Sequence, residues 1–245
     1  MNAILVRVGV DHAYGRWNAP ADPATGQFVF VPIPDSVTKK YRPGSQRRFD
    51  EIVAPLSEFA ARYKSDKPSI YNCPEPLRQL NMHLDPDFQY LTYGDNGMRR
   101  GAGIAKLASG DVLVFYSGLR SIQYPNQLIY ALVGLFVVEE VIRAIAVPGK
   151  RRHENAHTRW TIISENDIVV RGKRGLSGRF DRFIPIGEWR DGSYRVCRHI
   201  EKAWGGLTVK NGYIQRSAVP PMFLNAERFY EWFQQQRINL QERNN

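Results

Sequence analysis

Two apolar stretches in the middle of the chain decide the fold. They are LASGDVLVFYSGL at residues 107–119 and YALVGLFVVEEVI at residues 130–142. In the first, a Ser-Gly-Asp turn precedes a run of β-branched and aromatic residues, which predicts a buried strand, and the second predicts a longer strand. Because Glu139, Glu140 and Arg143 interrupt this most apolar region, we do not expect it to span a membrane.

Further strands are predicted on both sides of this pair. Their segments are 3–10, 27–35 and, after Pro148, RWTIIS, DIVVRG, RFIPI and YRVCRHI. Apolar residues at helical spacing predict helices over 48–63 and 225–241, the second capped by Asn225. We therefore expect one α+β domain over residues 1–245, built around a strongly bent or barrel-like, mostly antiparallel sheet with flanking helices.

The composition indicates a folded cytoplasmic protein that favours polyanionic partners. The 245 residues are 43% hydrophobic, which is enough for a sizeable core without disulfides. Cys73 and Cys197 have no nearby partner in the sequence, and the N-terminus lacks the features of a signal peptide. A net charge of +10 favours DNA or a nucleotide as the partner, because Lys and Arg neutralise phosphates. A merely basic enzyme is the alternative.

One basic segment is a candidate for phosphate contacts. RGKRGLSGRFDR, at residues 171–182, combines five basic residues with three glycines, so the backbone could approach a phosphate chain closely. The candidate contacts in it are Arg171, Lys173, Arg174 and Arg179. A solvated hairpin loop is the alternative interpretation.

Residues 153–157 match the H-E-x-x-H pattern of zinc metalloproteases. That chemistry needs both histidines on one turn of a helix that buries an apolar face. Here basic side chains surround the motif, a Pro-Gly pair precedes it and a strand-like segment follows, so little room is left for a helix. A zinc protease is therefore not expected.

The segment HLDPDF at 83–88 is the stronger candidate for chemistry. In an extended chain His83, Asp85 and Asp87 point to the same side, where they could bind a divalent cation or transfer protons. The alternative is a turn in which Asp85 caps the following backbone and His83 fills a polar pocket.

Other candidates follow predicted strands. Asp11 and Asp35 end strands, which would hold them rigidly, although acids there also simply begin loops. Tyr14 and Trp17, beside Gly15, could stack on a base or cover an edge of the core.

Several segments, in their order along the chain, resemble the nucleotide modification associated domain 3 family. They are AILVRVGVDHAYG, VFVPIPD, HLDPDF, GDVLVFYSGLR, the NAH of 155–157 and GYIQRSAVPPMFL, and they extend over nearly the whole chain. The family is linked to hypermodification of bases in phage and bacterial DNA, so the resemblance implies a role of that kind. The polar positions that it implies for a site are Asp11, Asp35, His83, Asp85, Asp87, Asn155, His157, Arg216 and Ser217. The residues after Asp11 depart from the small Ser/Gly-rich run of the family pattern.

The two central strands are also similar to a strand pair of PUA-like and EVE-like barrels. Those barrels bind modified bases or flipped nucleotides, and a Gly-Asp turn followed by a long strand that curls at Gly134 is compatible with one.

Three functions follow as hypotheses. The first is an enzyme that modifies a base or nucleotide in DNA, with the catalytic residues Asp11, His83, Asp85, Asp87 and His157. Its nucleic-acid contacts would be Tyr14, Arg171, Lys173, Arg174, Arg179 and Arg216. The second is a PUA-like or EVE-like reader that encloses a modified base, with Tyr14, Trp17 and Tyr116 lining the pocket. The third is a nuclease whose carboxylates hold metal. The sequence names no cofactor, and a divalent metal is the candidate.

Overall fold

The two central apolar stretches form adjacent strands in the computed structural model, which describes residues 1–63, 71–215 and 219–245. The strands are β6, Val112–Ser121, and β7, Leu128–Arg143. They pair in antiparallel register with Val112 opposite Val137, and a bulge lies between Phe115 and Tyr116. Almost all of β6 and the middle of β7 are buried, as expected for strands whose two faces are both covered.

Ten further strands and five α-helices are found in the described residues. The strands are β1 (Ala3–Arg7), β2 (Pro20–Ala21), β3 (Ile33–Pro34), β4 (Met82–His83), β5 (Thr92–Asn96), β8 (Asp167–Gly172), β9 (Gly178–Pro185), β10 (Gly187–Arg190), β11 (Ser193–Val196) and β12 (Leu240–Gln241). The helices are α1 (Val53–Ala61), α2 (Glu75–Arg78), α3 (Ala156–Arg159), α4 (Arg198–Ala203) and α5 (Ala226–Gln235).

One sheet carries eight of these strands within the described part of the chain. Its path is β1–β6–β7–β8–β5, and β2 also pairs with β6 while β9 joins β7 to β12. Only β1 and β2 run parallel to their neighbour, so the expected mixed α and β content with a mostly antiparallel sheet is confirmed. The prediction of a barrel-like sheet is not supported, because among the described residues the sheet is not closed. Instead β7 changes partners along its length, pairing with β9 and then with β8, so the sheet branches.

The core lies on both faces of this sheet, because side chains alternate along each strand. On one face, Ile4 and Val6 of β1 pack in a cluster with Phe59 of α1. On the other face, Ala3 and Leu5 pack in a cluster with residues of α5 such as Phe229 and Phe233. The sheet is thereby covered on both sides by helices and loops.

The predicted helices are present with shorter bounds. The first begins as a 3-10 turn at Phe49–Ile52 and continues as α1, with Pro55 in the first turn, where its missing N–H is not needed. Helix α5 starts after Asn225, whose side chain accepts a hydrogen bond from the backbone N–H of Arg228, and it ends at Gln235. No helix in the described ranges is both long enough and apolar enough to cross a membrane.

Three segments predicted as strands differ from the prediction. In 27–35 only Ile33–Pro34 is a strand, β3, and Phe28 makes an isolated bridge to Ala21. RWTIIS makes only an isolated bridge through Trp160, whose indole N–H donates to Asp35. YRVCRHI is a strand only as far as Val196, in the two-stranded sheet of β10 and β11, and then enters α4 at Arg198.

Candidate functional site

A cavity of about 220 Å³ lies where β4 and β5 approach the loop that follows β1. Its ionisable and aromatic lining includes Asp11, Tyr14, His83, Asp85, Asp95 and His157. Four of the five predicted catalytic residues therefore share one cavity with a predicted stacking residue, although they come from well-separated parts of the chain. Asp95 was not predicted.

The centre of the cavity is a cluster of two imidazoles and one carboxylate. His83 Nε2 lies 3.7 Å and His157 Nε2 lies 3.6 Å from the same oxygen, Asp85 Oδ2. His83 ends β4, which pairs with β3, and His157 lies in the first turn of α3, where the Asn155 side chain accepts its backbone N–H. The pairing of β3 with β4 thus positions His83, and the capped first turn of α3 positions His157.

The carboxylate of Asp85 is fixed by backbone. The N–H of Gly94 donates to both of its oxygens at 2.8 Å, and Asn155 Nδ2 lies 3.3 Å from Oδ1. Burial raises the pKa of Asp85 to about 8, with the charge of Asp95 acting in the same direction, and these effects outweigh His157 and Gly94. A buried carboxyl with so perturbed a pKa is typical of functional sites.

Each histidine faces a second carboxylate on its other side. His157 Nδ1 is 2.8 Å from Asp167 Oδ2, while His83 Nδ1 is 3.7 Å from Asp35 Oδ2, beyond hydrogen-bond range. Burial lowers the pKa of His83 despite Asp35; burial alone would also lower that of His157, but Asp167 and Asp85 raise it.

The carboxylates of Asp35 and Asp167 stay ionised because neighbouring groups stabilise their negative charge. Burial opposes their charge, but His83 together with the donors Tyr41 and Trp160 lowers the pKa of Asp35 to about 2. His157 likewise lowers the pKa of Asp167 against the effect of burial. Both acids are therefore anions beside the histidines, and Asp167 also holds His157 by a hydrogen bond.

Several residues of this arrangement escaped the sequence analysis. Trp160 stacks on His83 with ring centroids 5.7 Å apart and donates to Asp35 at 2.9 Å. Asp167 begins β8 within the segment DIVVRG, and an acid at the start of a predicted strand is a signal that could have marked it. Gly94 and Asp95 carry no local pattern that marks them.

Asp87 does not join the cluster. The chain bends after Asp85, and Asp87 begins a turn that closes on Thr92, so the extended alternation assumed for this segment does not hold. Its carboxylate is fully buried and pairs with Arg159 at 2.6 Å. This pair holds the segment in place away from the cavity.

Asp11 lines the cavity, but its charge is already engaged. One oxygen pairs with Arg7 at 2.7 Å, and the other accepts the backbone N–H groups of Ala13 and Tyr14. Asp11 thus begins the loop and also lines the cavity, two roles that the sequence had left as alternatives. Its position leaves Tyr14 56% exposed on the cavity wall.

The other aromatics named for a reader lie in the core. Trp17 is packed on one face of the sheet and Tyr116 on the other, where its hydroxyl donates to the carbonyl of Ile214. Neither belongs to the cavity lining, so the predicted aromatic pocket of Tyr14, Trp17 and Tyr116 is not formed.

The predicted basic contacts lie outside the cavity and differ in availability. Arg171 is buried between Glu140 and Glu154, and Arg179 is buried with its Nη2 donating to Gln241. Burial lowers the pKa of Arg179 to about 10. Arg174 is exposed and pairs with Glu242, and Lys173 is half-buried. Arg216 and Ser217 lie outside the described residues.

The H-E-x-x-H motif does not form the helix of a zinc protease. Gly149–Glu154 is a 3-10 helix, and Asn155 is extended, with φ −138° and ψ 147°, before α3 begins. His153 packs against Tyr90, whereas His157 enters the cavity. The two histidines thus face different surroundings.

Comparison with known proteins gives one match. No curated protein and no solved structure matches the chain. The family model of nucleotide modification associated domain 3 matches residues 2–220, which include the cavity and the segments that build it. The chain therefore belongs to the nucleotide modification associated domain 3 family.

Proposed function

We propose that the protein is an enzyme that modifies a base, in DNA or in a nucleotide, and that the cavity around Asp85 is its active site. The observation that carries the proposal is the convergence of His83, Asp85 and His157 on an open cavity. Family membership connects the chain with nucleotide modification. A reader needs shape and hydrogen bonds, whereas a fixed set of ionisable groups is what chemistry requires.

The dimensions of the cavity favour a small part of a nucleic acid as the substrate. Its volume of about 220 Å³ is below the roughly 300–1,000 Å³ of pockets for drug-sized ligands. One base turned out of a duplex, or the base of a free nucleotide, is the matching size class. Tyr14 would stack on that base, and the exposed Arg174 with Lys173 would contact phosphates.

A reader of modified bases is the second candidate, favoured by one observation. Tyr14 is exposed beside carboxylates that could accept hydrogen bonds from the edge of a base. A nuclease has less support, because Asp11 and Asp87, the further carboxylates expected to hold its metal, are paired with Arg7 and Arg159.

Nucleoside mass spectrometry tests the proposal. Hypermodified DNA, plain DNA and free nucleotides would each be incubated with the wild-type protein, with Asp85→Asn, and with Asp191→Asn as the matched control. Asp191 is exposed on the β10–β11 turn, so its substitution makes the same chemical change away from the cavity. We expect a new or missing nucleoside mass that disappears only with Asp85→Asn.

The other outcomes separate the hypotheses. Unchanged nucleosides, together with Asp85-dependent preference for modified DNA in a binding assay, would replace the enzyme with the reader. Broken strands with unchanged nucleosides would indicate the nuclease.

A further inference from the structure

The nitrogen and oxygen atoms at the centre of the cavity are arranged for a shared cation. One possible ligand atom from each of His83, Asp85 and His157 lies within 4.8 Å of the others. The separations of 3.6 and 3.7 Å from the carboxylate oxygen are too long for a hydrogen bond of about 2.7–3.2 Å. Ligands bound at 2.0–2.2 Å to one ion in tetrahedral geometry lie about 3.3–3.6 Å apart. These two nitrogen–oxygen separations therefore suit a shared metal ion better than direct hydrogen bonds.

The surroundings orient both rings towards that position. Because His157 Nδ1 is hydrogen-bonded to Asp167, a proton on Nδ1 leaves the Nε2 lone pair facing Asp85. His83 has Asp35 on its Nδ1 side, and that nitrogen is buried without a hydrogen-bond partner. A carboxylate hydrogen-bonded behind the ring, as Asp167 is for His157, is the usual arrangement around ligating histidines, because it fixes the tautomer and raises the basicity of the ring.

The local charge also calls for a cation. The carboxylates around the two histidines are those of Asp35, Asp85, Asp95 and Asp167. They form an acidic centre in a chain whose net charge is +10. Nearby, Lys39 lies over the face of Trp160, with its Nζ 3.3 Å from the ring centroid, and it forms none of the ion pairs found in the described ranges. A bound dication would lie among these carboxyl groups and offset negative charge there.

From this geometry we propose that His83 Nε2, Asp85 and His157 Nε2 bind one divalent first-row transition-metal ion, with open coordination positions facing the cavity. Two imidazoles with one carboxylate suit Zn²⁺, Fe²⁺, Mn²⁺ or Co²⁺ rather than Mg²⁺ or Ca²⁺, which prefer oxygen ligands alone. The role of the ion in catalysis rests on the proposed function. Ion binding itself does not, since it is measured without nucleic acid.

Metal titration of the 245-residue chain tests the site. Protein stripped with a chelator would be titrated with Co²⁺ and Zn²⁺ by calorimetry and, for Co²⁺, by absorption in the visible range. We expect one equivalent to bind. His157→Ala removes a ligand and His153→Ala removes the neighbouring histidine of the same motif, so only the first should lower the affinity, by 100-fold or more.

A second variant guards against a folding defect. Asp167→Asn keeps the shape of the side chain but removes the charge behind His157. It should lower the affinity for the metal ion by about 10–100-fold. Circular dichroism and thermal unfolding of the apo proteins establish that each variant is folded. Sub-stoichiometric binding to the wild type, or equal affinity in His153→Ala and His157→Ala, would overturn the site.

The two proposals can fail separately. Stoichiometric, His157-dependent ion binding with unchanged nucleosides would retain the metal site and reject the enzyme. Conversely, a nucleoside change that survives complete chelation would retain the enzyme and show that its chemistry does not use the ion.

Discussion

Gly94 tests the geometry of the site most directly, because it has no room for a side chain. A Cβ built at this position points into the cluster, closest to His157 Cδ2. It would also lie 2.7 Å from Asn155 Oδ1 and 2.9 Å from Asp85 Oδ2. Gly94 sits in β5, which pairs with β8, so the backbone cannot easily move away. The substitution Gly94→Ala should therefore push the site residues apart.

The size of the effect follows from these distances. To reach the 3.4 Å at which ordinary contact begins, the oxygens of Asn155 and Asp85 must retreat by about 0.7 and 0.5 Å, and the ring of His157 by more. Overpacking of this kind costs about 1–3 kcal/mol. For a chain of this length that corresponds to a fall in Tm of roughly 2–12 °C.

The same displacement should weaken the function of the cluster. A shift of about 1 Å in a catalytic group can lower the rate by about 100-fold, and disturbed support of metal ligands lowers affinity by about 10–100-fold. The assays are thermal unfolding of the apo protein, Co²⁺ titration, and nucleoside conversion once a substrate is identified.

Gly118→Ala is the matched control for this prediction. Gly118 also lies in a strand of the main sheet, β6, but its nearest neighbour is 3.6 Å from the added Cβ, an ordinary contact. It should leave ion affinity unchanged and Tm nearly so. If Gly94→Ala had the same Tm and the same affinity for Co²⁺ as the wild type, the close packing of β5 against the histidine–aspartate cluster would be refuted.

Three further predictions concern the framework. Arg159→Ala should lower the free energy of unfolding by about 3 kcal/mol in urea, because the buried Asp87 would keep its hydrogen bonds from Asn244 and Gln89 but would have only Arg47, at 3.9 Å, as an ion-pair partner; a loss below about 1 kcal/mol would show that the pair contributes little. Burial raises the pKa of the Cys73 thiol to about 11, so near pH 8 it stays protonated, and maleimide labelling followed by peptide mass spectrometry should detect it only after denaturation. Asn225→Ala should cost about 1 kcal/mol by removing the cap of α5, and Asn225→Gly only a few tenths, both measured by urea unfolding.

The central strands could be predicted because their signal is local. The β-branched and aromatic runs of β6 and β7 specify strands wherever their partners lie. The form of the sheet could not be predicted in the same way. Whether it closes depends on where β7 exchanges β9 for β8, and that exchange depends on packing between distant segments.

The candidate site was predicted in part for a related reason. His83 and Asp85 are only two residues apart, His83 at the end of β4 and Asp85 in the loop that follows it, so their spacing was informative. The same spacing was misleading for Asp87, because the chain turns between the two acids. Charge patterns misled in a similar way at Arg171: its guanidinium is paired with Glu140 and Glu154, residues that a one-dimensional pattern does not bring near it.

The contrast between the cavity and the rest of the chain constrains any mechanism. A net charge of +10 favours polyanions at long range, yet the lining of the cavity carries three carboxyl groups, those of Asp11, Asp85 and Asp95, against one guanidinium, that of Arg7. Two like charges about 4 Å apart repel by about 4 kcal/mol at an effective dielectric constant of 20, so an ionised carboxylate in the lining disfavours a phosphate more than a neutral base. Under the proposed function, the phosphates would stay outside the cavity and only the base would reach Asp85. An ion bound between the histidines would reduce the repulsion but not reverse it, because Asp35 and Asp167 remain beside it.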